Sequence, residues 1–425
     1  MLWVLVISLF FFLMAGSPLA VVLGLSSLLA LVYQGTVPLS VVTQRMFVAV
    51  DSFALIAIPL FILAGEMMNT GGITARLVTF ADRIVGHITG GLSHVTVVTN
   101  MIMAGISGSA AADAAATGSL LIPSMIKRGY SKAFAGAISA AASTIGPIIP
   151  PSIPMVVYGS IANVSIGRLF LGGLIPGVIM GFFLMGVAYV ISKRRGYPRE
   201  ERSPLGEIVK SFLASFWAML MPLIILGGIL GGIFTPTEAA AVAVVYAYVV
   251  GAFVYRELKM SDLPRIFMNS AVSTAIVMLI IATANLLGWV LSYARIPEAM
   301  TDFFLSISSE PWVIFLLINI VLLILGCFMN PTAIIIVMVP FFMPLIEKVG
   351  INPIHFGLIL TVNTAIGQLT PPVGVCMYIS CGIAKITISE FTRECMIFIL
   401  ALVVVLLLIT YLPGLVLFLP NLLMP

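Results

Sequence analysis

The sequence is short of charge. Only 8% of its 425 residues are Asp, Glu, Lys or Arg, while 61% are hydrophobic; soluble domains carry about 25% charged residues. Such a chain cannot cover a water-facing surface, so lipid is most of its solvent. A phosphate-cradling G-x-x-x-x-G-K-[ST] run is missing, which argues against an ATP-driven pump on this chain. Histidine is scarce too. His87, His94 and His355 are scattered without H-E-x-x-H spacing, so no transition-metal or cofactor site is expected. The four cysteines (Cys327, Cys376, Cys381, Cys395) lie in apolar segments and form no C-x-x-C pair. They are expected to be small packed hydrophobes. The ten-residue alternating segments of a membrane barrel are absent; a net charge of +4 is informative only in its placement, and no nucleic-acid partner is expected.

What the sequence has instead is apolar length. CMIFILALVVVLLLITYL, residues 395–412, can cross a ~30 Å hydrocarbon core, which takes about 20 helical residues. The opening MLWVLVISLFFFLMAG has no basic n-region and no clear cleavage site, so it is expected to be a first membrane segment. Spans are expected at 2–14, 18–33, 51–68, 166–192, 211–234, 237–254, 268–290 and 391–418. Amphipathic arms are expected at 38–50, 74–87 and 255–266. The most polar stretch, KRRGYPREERSPLGEIVK at 193–210, reads as a cytoplasmic linker between two halves, 1–192 and 211–425.

Those halves are related. Shifted by 221, residues 123–151 and 344–372 share nine identities in 29 positions, among them Gly146/Gly367, Pro150/Pro371 and Pro151/Pro372; roughly two or three would follow from composition. The chain is an internal duplication. Lys127, Arg128 and Lys132 precede one apolar region, and Lys193, Arg194, Arg195, Arg199 and Arg202 follow the next. The positive-inside rule puts both clusters in the cytoplasm. An odd number of crossings per half then inverts the second copy, the arrangement of many secondary transporters.

Each copy carries two irregular features. Residues 91–126 should begin and end on one side, so they form a re-entrant hairpin, and GISGSAAADAAATGS at 105–119 supplies the small side chains of a tight tip. The second hairpin is expected at 311–346, its turn at Asn330-Pro331. After each hairpin comes a proline-broken helix, at 133–160 (STIGPIIPPS) and 354–380 (TAIGQLTPPV). Proline cannot donate in a helix interior and clashes with the preceding turn. Freed carbonyls suit a hard cation, and half-helix N-termini suit a carboxylate. A tip facing a break, made twice, would give two cation sites bracketing an anion site. The expected fold class is an all-α polytopic membrane protein of two inverted repeats, each with a re-entrant hairpin and a broken helix.

The segments PLFILAGEMMNTGG (59–72), MAGISGSAAADAAATGSLLIPSM (103–125), IGPIIPPSIPMVVYG (145–159), GIFTPTEAAAVAV (232–244) and FGLILTVNTAIGQLTPPVGV (356–375) run through nearly the whole chain. With them the sequence resembles the large, DctM-type membrane subunit of tripartite ATP-independent periplasmic (TRAP) transporters. The resemblance implies a sodium-coupled elevator importer in the bacterial inner membrane, with a scaffold and a mobile transport domain. It further implies two protein partners, a small four-helix (Q-type) membrane subunit and a periplasmic substrate-binding (P-type) protein. Carried over motif by motif, a first sodium site takes Ser107, Gly108, Ser109, Gly146, Ile149 and Pro151. A second takes Gly326, Gly367, Thr370 and Val373. Substrate lies near Ser107, Ser109, Asp113, Asn330 and Pro372, and sodium is a coupling ion rather than a cofactor. Sialic acid, C4-dicarboxylates and sugar acids are all compatible cargoes.

Single residues refine this. Asp113 is the only ionisable residue between His94 and Lys127, and an acid at membrane depth is costly and usually functional. Glu66 and Glu238 are expected to bond between scaffold helices, and Arg76 and Arg295 to anchor at the interfaces. An intramembrane hydrolase using Asp113 with a serine would need a base, and no histidine lies near the tips in sequence. A passive channel would need a filter-like ring that the sequence does not show.

Overall fold

A computed structural model describes residues 1–424 and is built of helices, with no strand among the described residues. Among the described residues, seven helices are long and apolar enough to cross a membrane. The first half runs α1 (Leu2–Met14), α2 (Leu19–Gln34), the arm α3 (Ser40–Val50), a short turn and α4 (Ala57–Thr70), then the arm α5 (Ile73–Val85). Next come α6 (Gly91–Ser107) and α7 (Ala110–Lys127), then α8 (Lys132–Ser143), α9 (Ile153–Ile161) and the long α10 (Ile166–Arg195). The second half opens with α11 (Leu205–Leu230) and α12 (Pro236–Val249), followed by α13 (Leu263–Tyr293) and α14 (Ile296–Ile307). It continues with α15 (Pro311–Gly326), α16 (Pro331–Val349), α17 (Pro353–Gly367), α18 (Val375–Ala384), α19 (Ile388–Tyr411) and α20 (Gly414–Leu423). The same order therefore recurs: span, arm, hairpin, broken helix, long span.

The breaks fall where proline chemistry puts them. Helix α8 ends at Ser143 and α17 at Gly367, each four residues before a proline, Pro147 and Pro371. A proline there cannot donate to the carbonyl four residues back, and its ring collides with it. After the first gap the chain re-enters helix behind a serine cap, Ser152, whose Oγ accepts from the Met155 amide at 3.2 Å. The Pro150-Pro151 and Pro371-Pro372 bonds are both cis.

Packing crosses between the copies. Helix α18 lies on α7 of the first hairpin, and its counterpart α9 lies on α16 of the second. The buried core runs through these elements: α8 has Phe134, Ile138 and Ala135–Ala137 inside, and α17 buries Phe356, Leu358, Ile359 and Leu360. Much of the outer surface is apolar, with Trp3 78%, Phe10 64% and Leu213 62% exposed, as lipid contact requires.

The structure departs from these expectations at several points. Helix reaches into the polar 193–210 stretch from both ends, leaving only 196–204 as loop, because Lys193, Arg194 and Arg195 suit a helix C-terminus. That loop is docked: the Glu200 amide donates to the Gly86 carbonyl at 3.1 Å, and Glu200 pairs with Arg128 at the foot of the first hairpin. The expected last span, 391–418, is split at Pro413 into α19 and α20. Residues 296–307, not expected as an element, form the amphipathic arm α14 matching α5. The arm expected at 255–266 does not form: a loop and the short turn Met260–Asp262 lead straight into α13 at Leu263. Arg76 is no free anchor; it pairs with Glu257 of that loop at 2.6 Å and lies over the Tyr255 ring, tying α5 to the connection between α12 and α13.

Candidate functional site

The first tip is a two-residue turn between α6 and α7. Gly108 takes φ +61° there, a left-handed backbone that glycine adopts without penalty. A Cβ on Gly108 would lie 2.5 Å from the Pro151 carbonyl oxygen, so only glycine lets the tip seat on the first break. Ser109 caps α7 by accepting from the Ala112 amide at 3.4 Å. Ser107 Oγ accepts from the Ser109 amide and donates to Asp113 Oδ1 at 2.5 Å. The other Asp113 oxygen is buried without a hydrogen-bond partner and faces Gly146, where a Cβ would come within 2.5 Å of it.

The second tip is built alike from different residues. Asn330 caps α16, its Oδ1 accepting from the Ala333 amide at 2.8 Å. Gly326 lies so close to Gly367 that a Cβ on it would be 2.9 Å from the Gly367 Cα. One backbone bond joins tip to break, the Val373 amide donating to the Cys327 carbonyl at 2.9 Å. Both tips are thus pinned to the break of their own repeat through glycine contacts.

Most of the expected sodium positions come together in these two cradles. At the first, Gly108 meets Pro151, and Ser109 with Asp113 meets Gly146. The carbonyls of Gly146, Ile149 and Pro151 accept no hydrogen bond among the described residues. At the second, the carbonyls of Gly326 and Val373 are likewise unpaired, whereas Gly367 and Thr370 accept from Thr370 and Gly374. Unpaired carbonyls beside a cradle too tight for a methyl group fit a small hard cation. No cluster of three His, Cys, Asp or Glu exists among the described residues, so backbone and hydroxyl oxygens would be its donors.

Between the tips lies a cavity of about 320 Å³. Ser107, Gly108, Ser109 and Asn330 line it, as the sequence leads one to expect; Asp113 and Pro372 do not. Asp113 sits one turn into α7, fully buried behind Ser107. Pro372 is on the exposed side of the second break, its carbonyl accepting from the Tyr378 hydroxyl at 2.9 Å. The sequence reading also missed much of the opposite wall: Glu66 and Asn69 of α4, Ser273 of α13 and Gln368 of the second break. Glu66 makes no side-chain hydrogen bond to another helix and is directed to the cavity; its spacing one turn from Asn69 was the available signal. Glu238 caps its own helix with Thr235 instead of bonding to a neighbour. No Lys or Arg lines the cavity, and the N-termini of α7 and α16 both open onto it through Ala110–Ala112 and Pro331–Thr332.

Residues 6–415 match the family described as "Tripartite ATP-independent periplasmic transporter, DctM component". The chain belongs to the DctM family. It is 40% identical to the sialic acid TRAP transporter large permease protein SiaM of Vibrio cholerae, over 96% of each chain. To the C4-dicarboxylate large permease DctM of Pseudomonas aeruginosa it is 40% identical, over 94% of this chain and 93% of that one. The isethionate TRAP permease DctMQ of Oleidesulfovibrio alaskensis is 42% identical over 96% of this chain, which spans 64% of DctMQ's length. Among solved structures, the YdaH transporter of Alcanivorax borkumensis superposes with TM-score 0.65 at 13% identity, over 90% of this chain and 89% of that one; at that identity the likeness concerns the fold. This DctM-family chain is a multi-pass transporter subunit, not an enzyme, and membership of a tripartite system implies partner subunits.

Proposed function

We propose that the chain is the translocation subunit of a sodium-coupled importer of a small organic acid, in a bacterial inner membrane. It takes its cargo from a periplasmic binding protein and works beside a small Q-type membrane subunit. The cargoes named for its relatives support the chemical class: sialic acid, C4-dicarboxylate, isethionate and 2,3-diketo-L-gulonate are all organic acids.

The observation that carries the reading is the charge of the cavity. Two helix N-termini face it, which favours an anion, yet its walls hold one acid, Glu66, and no basic side chain. An anion taken out of water is costly unless paired. The missing positive charge is supplied if cations occupy the two cradles, directly behind the helix N-termini that face the anion. Binding of acid and sodium is then mutually dependent, because neither charge is offset without the other. The hairpin tips exclude water on one side while α4 and α13 close the other, and movement of the tips with their cradled cargo past those two helices delivers it to the cytoplasm.

The test is uptake into proteoliposomes containing the chain with its small subunit, supplied with loaded binding protein. Accumulation is expected only with an inward sodium gradient, and dissipating that gradient should stop it. Uptake at the same rate with potassium replacing sodium would overturn the coupling, and uptake at the same rate without binding protein would overturn the delivery step.

A further inference from the structure

A second cavity, of about 430 Å³, lies between the arm α3, the outer half of α13 and the opposite wall formed by α9 and α16. The basic clusters at 127–132 and 193–202 mark the cytoplasmic face, so the C-terminal end of α13 and the arm α3 are at the outer face. Arg45 is the only charged side chain lining this recess, and a neighbouring uncharged recess shares its Ser52 and Ser160. Arg45 is exposed and has no ion-pair or hydrogen-bond partner among the described residues. Its guanidinium lies 5.3 Å from the Trp289 ring centroid. A cation–π contact of this kind uses none of the guanidinium's five N–H donors, which stay free for a ligand. Asn285 and Ser292 of α13 add neutral polar groups beside it. The only acid near the foot of α3, Asp51, is exposed and does not line the recess.

The recess is continuous with the central site along one helix. Ser273 and Val277 of α13 line the cavity between the tips, and Ile281, Asn285, Trp289 and Ser292 line the outer recess. These residues span about 28 Å of the axis of one unbroken helix, and in steps of four their row winds about 160° around it from Ser273 to Trp289, so α13 turns one flank to the central site and the other to the outer recess. On the other wall, Ser160 of α9 approaches Ser52 to 3.5 Å, a single hydroxyl contact spanning the recess.

We propose that the outer recess is an anion-staging site, in which Arg45, beside the Trp289 ring, takes the carboxylate or sulfonate of an incoming organic acid before it reaches the hairpin tips. The site supplies what the central cavity lacks, a permanent positive side chain, at the face where no cradled cation yet accompanies the acid. The proposal rests on the organic-acid reading above.

The test reads binding without transport. The full chain, with Trp3, Trp217 and Trp312 replaced by Phe so that Trp289 alone emits, is placed in phosphatidylcholine nanodiscs and quenched with iodide or with neutral acrylamide. In water a unit charge at about 5 Å concentrates a monovalent anion about fourfold. Arg45→Gln should therefore lower the iodide quenching slope about fourfold and leave the acrylamide slope unchanged, and Arg45→Lys should restore most of the iodide response. Millimolar acetate or succinate should protect Trp289 from iodide in the Arg45 protein and not in the Gln variant. An iodide slope insensitive to Arg45→Gln overturns the proposal. So does protection that appears only when phosphatidylglycerol is added to the discs, since Arg45 then serves a lipid headgroup. Failure of sodium-dependent uptake alongside an intact iodide response would defeat the transport reading and leave the anion site standing.

Discussion

Replacing Gly108 by alanine separates a cradle from a merely flexible turn. Its φ of +61° already disfavours a side chain, by about 1–2 kcal/mol. The added Cβ would also stand 2.5 Å from the Pro151 carbonyl oxygen and 3.4 Å from the Ile153 amide nitrogen. Ordinary contact needs about 3.4 Å, and the neighbour is backbone held by the Ser152 cap, so the tip must retreat by roughly 0.9 Å. A misplacement of that size at a site that positions charges can cost about a hundredfold. Gly129 is the control: it has φ +88° at the foot of the same hairpin, and a Cβ there meets nothing within 4 Å. Gly108→Ala should raise the sodium concentration for half-maximal uptake at least about tenfold and lower uptake at fixed sodium about a hundredfold. Gly129→Ala, bearing the same backbone penalty, should change both less than about twofold. The assay is sodium-titrated uptake in proteoliposomes, with insertion checked by size-exclusion chromatography. Equal behaviour of the two variants would refute the reasoning, because backbone conformation alone would then account for any loss.

Gly326→Ala should act on the second cradle in the same way, since its Cβ would be 2.9 Å from the Gly367 Cα; a sodium titration that keeps its cooperativity would contradict this. Ser107→Ala removes the single partner of the buried Asp113 carboxyl and should destabilise the protein by about 1–3 kcal/mol. The melting temperature of Ser107→Ala with Asp113→Asn should fall by less than the two separate losses together, and strict additivity would count against the pair. Beside the 196–204 loop, burial and then the facing Glu200 push the Asp82 carboxyl up to about 6, above its ordinary 3.8, although Arg128 and Arg83 oppose the shift. A carboxyl raised by folding contributes stability that is full below its unfolded value near 4 and is lost as pH rises through about 6. Hydrogen exchange of residues 196–204, corrected for intrinsic rates, should therefore show a looser loop at pH 7.5 than at pH 5, and Asp82→Asn should flatten the difference.

Much of the architecture is local in origin, and the sequence by itself determined it. Charge poverty dictated a lipid solvent. Pro147 and Pro371 stopped α8 and α17 four residues upstream, a one-dimensional effect of a missing donor. Small residues around Gly108 and the Asn330-Pro331 pair marked both tips, and nine matched positions declared the duplication. The serine and asparagine caps at Ser109, Ser152 and Asn330 are also short-range chemistry.

What needed the tertiary structure was every relation between distant segments. Glu66 and Asn69 look like ordinary interruptions of an apolar helix until α4 is seen closing the cavity opposite the tips. Asp113, conspicuous in sequence as a lone membrane acid, proved to stand behind Ser107 against Gly146, because one helical turn separates the capped N-terminus from the cavity wall. Arg45 and Trp289 are 244 positions apart, and neither periodicity nor composition links them. Burial, charge pairing and the direction of a helix end are set by which surfaces meet; hydropathy and proline placement decide only where each surface begins and ends.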